Sequence, residues 1–374
     1  MERLIASLVV LLMVLEQALS FGKAGYDIAA AKRAVAEAPD AVGSEFTGVS
    51  SEETWSPDDP FSMDDCFTLT KPADRDFVIL NITDTHFSDY DIRALYAFDE
   101  SRTIRKLVDK YRPDLITVTG DVVCGDSTKY SIERLTELFD SFGVPWAPVF
   151  GNHEIDENCD LNYLADVMMT SEHCLFRKGD PEMGVGNYVI NVAGPDGTVV
   201  ETILMMHSHK SQINEKQLQW AKWVREGVNA ATGSQPELTF FFHIPLPDYQ
   251  YAYDAAWDAD KKQWRDGYGA AGTLNEKICC ERDDNGEPLD RGVFTFIKEL
   301  GVRYVFCGHE HNNDFTIDWD GVRLTYCLKV GKASGYYPGL NGGTAIRVGS
   351  EGITRITSTT FIAGIAKDIV DVTV

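Results

Sequence analysis

The chain has 374 residues, 44% of them hydrophobic and 11% aromatic, which is enough apolar side chain for a large core and argues against disorder. With 34 basic against 58 acidic residues the formal net charge is -24, and a surface that acidic excludes the basic footprint of a protein that binds long nucleic acid. The eight cysteines have no CxxC, zinc-finger or haem-attachment spacing.

In chain order, Arg3 precedes an apolar run over residues 4–15, and Ala18-Leu19-Ser20 offers small residues at the spacing of a signal-peptidase site. Residues 1–20 are therefore expected to be a signal peptide. The run is short for a membrane span and Glu16 and Gln17 interrupt it, so cleavage is expected over retention as an anchor. Export makes disulfides available. Cys159 and Cys174 flank a short predicted helix and are the nearest to a local pair, whereas Cys124 and Cys307 equally suit small core residues. Residues 21–70 read as an acidic leader, and the folded domain is expected over residues 71–361. Strand–helix alternation follows, with strands at 77–82, 115–118 and 146–150 and helices over 92–111, 132–142 and about 161–169, implying parallel pairing with right-handed crossovers. A strand pair is expected at 188–192 and 199–206, a helix over 215–228 and a strand at 238–242. Residues 249–287 form a long aromatic insertion, read either as a lid or as a segment packed on its own aromatics. A helix at 292–300, a strand at 302–306, a hairpin around Asp320-Gly321 and strands at 344–348 and 353–361 complete the domain, leaving residues 362–374 as a tail. No span beyond the signal is expected.

The chemistry gathers where the apolar strands end. Asp84-Thr85-His86 follows the first, Gly120-Asp121 the second, Gly151-Asn152-His153-Glu154 the third, His243 a later one, and Gly308-His309-Glu310-His311 the last. Open α/β folds build their sites at the carboxyl ends of strands. Carboxylate, imidazole and amide donors suit divalent metals such as zinc, manganese and iron. That many groups are too many for one ion and fit two ions that share one carboxylate, for which Asp121 is the natural bridge.

The ordered set Asp-x-His, Gly-Asp, Gly-Asn-His-Glu, a single His and Gly-His-x-His resembles the calcineurin-like metallophosphoesterases, over roughly residues 77–317. Stretches such as Ile79-Leu80-Asn81-Ile82-Thr83-Asp84-Thr85-His86 and Phe242-His243-Ile244-Pro245-Leu246-Pro247 are similar to the purple acid phosphatase-related group of plants, fungi and protists. The resemblance implies an α/β fold of two stacked mixed sheets flanked by helices. It implies one metal ion on Asp84, His86, Asp121 and His311, and a second on Asp121, Asn152, His243 and His309. His153 would stand beside the leaving group. The implied reaction is hydrolysis of a small phosphate monoester by metal-activated water in a secreted or vacuolar protein. A phosphodiesterase on nucleotides or lipid head groups and a catalytically silent metal-binding or partner-binding protein are the alternatives.

Several residues depart from that pattern or leave a choice open. Cys124 occupies the position, three residues after Asp121, where purple acid phosphatases carry an iron-binding tyrosine. It reads as a small buried residue or half-cystine before a soft metal ligand, so the identity of the metals is open. Asp126 or Glu154 could orient His153. His207-Ser208-His209 resembles an extra His-x-His site, with His209 the better contributor to a substrate pocket, while His173 reads as surface. Asn81-Ile82-Thr83 matches a glycosylation sequon but lies within an expected buried strand.

Overall fold

In the computed structural model the described residues are 54–88, 94–124, 128–156, 159–210, 212–278, 289–362 and 364–374. The expected signal peptide, most of the leader, Asp126, Cys279 and Cys280 lie outside them.

The order of elements is β1 (Phe67–Thr70), β2 (Phe77–Ile82), α1 (Ala94–Tyr111), β3 (Leu115–Thr119), α2 (Thr128–Asp140), β4 (Trp146–Val149), α3 (Asn152–Asp156) and α4 (Leu161–Met168). Then come β5 (Tyr188–Ala193), β6 (Val199–Met205), α5 (Glu215–Thr232), β7 (Glu237–Phe241), α6 (Asp248–Ala256), β8 (Trp257–Asp258), β9 (Gln263–Trp264) and β10 (Ala271–Thr273). The chain closes with α7 (Val293–Glu299), β11 (Tyr304–Cys307), β12 (Asp314–Trp319), β13 (Val322–Tyr326), β14 (Gly342–Val348), β15 (Ile353–Ile362) and β16 (Ile365–Thr373).

Two mixed sheets carry the fold. One has the order β1-β5-β6-β7-β11-β13-β12-β10, the other β16-β15-β14-β2-β3-β4. β2, β3 and β4 are parallel, Ile79 facing Leu115 and Thr117 facing Ala147 across the ladders. Strands buried on both faces read as unbroken apolar runs, which is why β2, β3 and β4 show every residue buried. Ile79, Val118 and Ala147 of one sheet join Ile190, Ile203, Phe241 and Phe306 of the other in one core, to which α1 and α2 add Ile104, Leu107, Ile132 and Leu135. A second core lies where Trp220 and Val224 of α5, Tyr249 of α6 and Ile297 of α7 cover Leu204, Phe240 and Val305. The resulting layers are helix, sheet, sheet, helix.

Three expectations need correction, and the choice left open for the insertion narrows to a packed segment in its described part, where Tyr253, Trp257 and Trp264 pack on one another. The leader supplies β1, parallel to β5 at the edge of the larger sheet. The tail is a strand: β16 runs antiparallel to β15, with Ile356 opposite Val372. The described part of the insertion is built into the fold, since β10 pairs with β12 and Tyr249 is buried with its hydroxyl donating to the Val305 carbonyl at 2.9 Å. Finally, the six described cysteines are thiols, Cys159 and Cys174 included, and Cys174 is buried in the core. Among the described residues no helix is long and apolar enough to cross a membrane.

Candidate metal centre

The two sheets bring their strand ends together at one place. Asp84 and His86 leave β2, Gly120 and Asp121 leave β3, Asn152 and His153 open α3 after β4, His243 follows β7, and His309 and His311 follow β11. One-atom-per-residue donor groups form there: Asp84, His86, Asp121 and His311 in one, Asp121, His243 and His309 in the other, each with its ligand atoms within 4.8 Å of one another. Asp121 belongs to both.

Sharp turns make this convergence fit. Asp84, His86, Asp121 and His309 adopt φ of 53°, 43°, 48° and 92°, the left-handed region that side chains other than glycine rarely occupy. The chain tolerates this because neighbours fix the turns. The Asp84 Oδ2 accepts from the Thr83 hydroxyl at 2.8 Å and the His309 amide at 3.1 Å, and the Asp121 Oδ1 accepts from the His153 amide at 2.9 Å. Gly151 is required by contact rather than conformation, since a Cβ there would lie 2.2 Å from the Asp121 Oδ1.

Each carboxylate thereby keeps its other oxygen for the centre. The Asp84 Oδ1 and Asp121 Oδ2 are buried without a hydrogen-bond partner, as is the His309 Nδ1. The Asp121 Oδ2 lies 3.2 Å from the His243 Nε2, 3.5 Å from the His86 Nε2 and 4.0 Å from the His153 Nε2. The His86 and His311 Nε2 atoms face each other at 2.9 Å. The outer nitrogens orient the rings: the His243 Nδ1 donates to the Thr119 carbonyl at 2.8 Å and the His311 Nδ1 to the Ser334 carbonyl at 2.9 Å, so that both Nε2 atoms point inward. The Asn152 Nδ2 donates to Asp156 at 3.1 Å, which turns its Oδ1 to within 3.1 Å of the His243 Nε2. Unpartnered carboxylate oxygens and inward-pointing imidazole nitrogens fit cations.

The electrostatics agree with that donor set. Burial, with Lys329 second, holds His86 well below the ordinary imidazole range, and burial with His243 pulls His309 down to about 4. Burial opposes charge on His243, but the Asp121 carboxylate outweighs it and pushes the imidazole up to about 10. Burial would likewise raise Asp121, yet His243, His86 and His153 hold it well below the usual carboxylate range. His86 and His309 are thus neutral donors, while His243 must lose a proton to become one.

The open choices resolve unevenly. Glu154 is buried and braces the backbone, accepting from the Val123 amide at 2.9 Å and the Gly151 amide at 2.8 Å; burial and Asp121 push it up to about 7. It therefore holds the turn rather than the His153 ring, which stacks edge-on against His86 at 4.5 Å. Cys124 is in neither donor group, and its Sγ lies 3.2 Å from the His86 carbonyl. His207 is buried and pulled down to about 3 by burial, His209 and His243; it too is in neither group. The His209 Nε2 sits 3.2 Å from both Gln217 and Asn214, the capping pair of α5. His173 is half-buried beside Asp140 at 2.8 Å. Asn81 is fully buried, with its Nδ2 donating to Thr119 at 3.1 Å, which leaves no room for a glycan. Sequence reasoning missed Asp156 and Lys329. Their signals were present, a carboxylate four residues after Asn152 and a lysine inside the apolar run Cys327-Leu328-Lys329-Val330.

A family model for the calcineurin-like phosphoesterases matches residues 77–313. An Arabidopsis thaliana protein named probable inactive purple acid phosphatase 28 is 26% identical over 295 residues, covering 68% of this chain and 70% of that protein. Phosphatase DCR2 of Saccharomyces cerevisiae is 26% identical over 242 residues, covering 59% of this chain and 39% of that protein. The structure of purple acid phosphatase PPD1 from yellow lupin (Lupinus luteus) seeds aligns over 79% of this chain and 53% of its own at 11% identity, with a TM-score of 0.49.

Proposed function

The chain belongs to the calcineurin-like phosphoesterases, and we propose that it hydrolyses small phosphate monoesters at a centre of two metal ions drawn from iron, zinc and manganese. One observation carries this reading: two donor groups share Asp121, whose inner oxygen is buried and without a partner. Asp84, His86, Asp121 and His311 would hold one ion, and Asp121, Asn152, His243 and His309 the other. When bound, such a pair lowers the pKa of a water toward neutrality and withdraws charge from phosphorus. The residues supply the rest. Asp121 fixes the spacing of the two halves, Asp156 keeps the Asn152 oxygen turned inward, and Glu154 holds the Gly151 turn. His153, whose side chain is one-third exposed at the mouth, is placed to donate a proton to the leaving oxygen or to stabilise its charge. We further read residues 1–20 as a signal peptide, and the chain as secreted or vacuolar.

A second reading has its own support, because relatives such as the Arabidopsis protein carry the word inactive in their names. The test is elemental analysis of the purified chain beside hydrolysis of a matched aryl monoester and diester. Two ions per chain with monoester turnover is the expected result. Diester turnover alone would make it a phosphodiesterase, and no ion with no turnover, even with added manganese, zinc or iron, would make it a silent binding protein. Asp121→Ala and Asn152→Ala should each reduce turnover by more than about a hundredfold, beyond what the loss of an outer-shell partner does, while leaving the far-UV circular dichroism unchanged. Full activity in either variant would defeat the dinuclear assignment.

A further inference from the structure

Lys329 is a lysine with almost no access to water. It is 1% exposed, in the run between β13 and β14. A buried ammonium is costly unless it is bonded and has counter-charge nearby. Its Nζ donates to the backbone carbonyl of Asp84 at 2.7 Å. Burial lowers its pKa, while Asp84, Glu100 and Asp121 hold it up. That carbonyl belongs to one of the left-handed residues of the centre, with His86 two positions further on in the same conformation.

The rest of the segment grips the same turn. The Val330 amide donates to the Thr83 carbonyl at 3.1 Å, and a Cβ on Gly331 would lie 2.7 Å from the Thr85 carbonyl. Four residues on from Val330, the Ser334 carbonyl accepts from the His311 Nδ1. A single stretch therefore touches both the Asp84–His86 turn and His311, three of the four groups on one side of Asp121. Among the described residues its hydrogen bonds reach none of Asn152, His243 and His309; the His309 amide meets the turn at the Asp84 Oδ2, at 3.1 Å, and not at the carbonyl that Lys329 holds.

We propose that Lys329 is a positioning residue for the metal site of Asp84, His86, Asp121 and His311, holding the Asp84 turn in its ligating form through the Asp84 carbonyl. The inference rests on the dinuclear reading above. It makes an asymmetric claim: loss of Lys329 weakens one site and spares the other. It also separates positioning from mere stability. Methionine matches the lysine stem in bulk but leaves the Asp84 carbonyl without its donor and the nearby carboxylates without their counter-charge, so a general loss of stability is expected as well and only a difference between the two sites reports positioning.

The experiment titrates the metal-free chain with cobalt(II), following the visible absorption, alongside thermal melting of the metal-free protein. Asn152→Ala weakens the second site so that the titration reports mainly the first, and Asp84→Ala does the reverse. In the Asn152→Ala background, Lys329→Met should weaken cobalt binding by about 10–100-fold, the usual range for an outer-shell partner. In the Asp84→Ala background it should leave binding within twofold, whatever the loss in the metal-free melting temperature. Equal affinity with and without Lys329 at the first site overturns the proposal, as does equal weakening at both sites together with a lower melting temperature. If the parent chain binds no cobalt at all, it is the dinuclear reading that fails. Should Lys329→Met not fold, Lys329→Gln, which keeps a shorter donor without the charge, is titrated in the same way.

Discussion

Left-handed backbone at Asp84, His86, Asp121 and His309 is paid for by the hydrogen bonds around them, and those bonds involve residues outside the candidate ligand set: Thr83, Glu154 and Lys329. The motif residues were legible because each follows an apolar strand. Glu154 belongs to the motif and Lys329 stands out as a lysine in an apolar run, but which turn each one holds was not legible, since a bond to the backbone leaves no spacing in the sequence. Buried carboxylates outside the centre behave differently. Glu201 on β6 is fully buried, its Oε1 accepting from the Thr239 hydroxyl at 2.7 Å and its Oε2 without a partner, and burial pushes it up to about 8. Above the ordinary glutamate range the unfolded chain releases this proton while the folded chain keeps it, so the residue lowers stability as pH rises toward 8. Glu201→Gln removes that term. The variant should gain on the parent by up to about 1.4 kcal/mol per pH unit between pH 5 and 8 in urea unfolding. Parallel stability curves for the two chains would show that Glu201 is ionised in the fold.

Elements were readable in proportion to how much of each is buried. β2, β3, β4 and β7 are continuous apolar runs, and α5 has its Asn214–Gln217 capping box and a left-handed Gly233 closing it. β16 shows the opposite. Val370 is its one buried residue and Ile365 is exposed, so the alternation that marks a strand is absent from its sequence. Pairing with β15 and charge contacts hold it instead, with Lys110 against Asp368 and Asp371 accepting from the Arg355 Nε at 2.6 Å and the Thr357 hydroxyl at 3.0 Å. β1 is only four residues long and was hidden beside an acidic stretch. A chain ending at Phe361 would lose β16 and leave β15 as an open edge. It should lose on the order of 1–3 kcal/mol from the missing cross-strand pairs, and light scattering should show self-association. An unchanged melting temperature with a monodisperse chain would mean that β16 adds nothing to the fold.

At the scale of the whole molecule, two charge patterns oppose each other. In the proposed function the centre gathers cations and, through them, a phosphate ester, yet the chain around it carries a formal net charge of -24. A field of that sign slows the approach of anions, and salt screens it over a Debye length of about 8–10 Å near physiological ionic strength. With metal bound, kcat/KM for a dianionic aryl monoester should therefore rise about twofold to fivefold between low salt and 150 mM sodium chloride. The rise should be smaller for a monoanionic diester, because the repulsion scales with substrate charge. Lys210, half exposed and paired with Asp156 at 2.7 Å, is the cation tied to the Asn152 side of the mouth. A fall in kcat/KM with salt would mean that local charges, Lys210 among them, outweigh the field of the chain. In that case Lys210→Ala should remove the salt dependence while leaving the metal content at two ions.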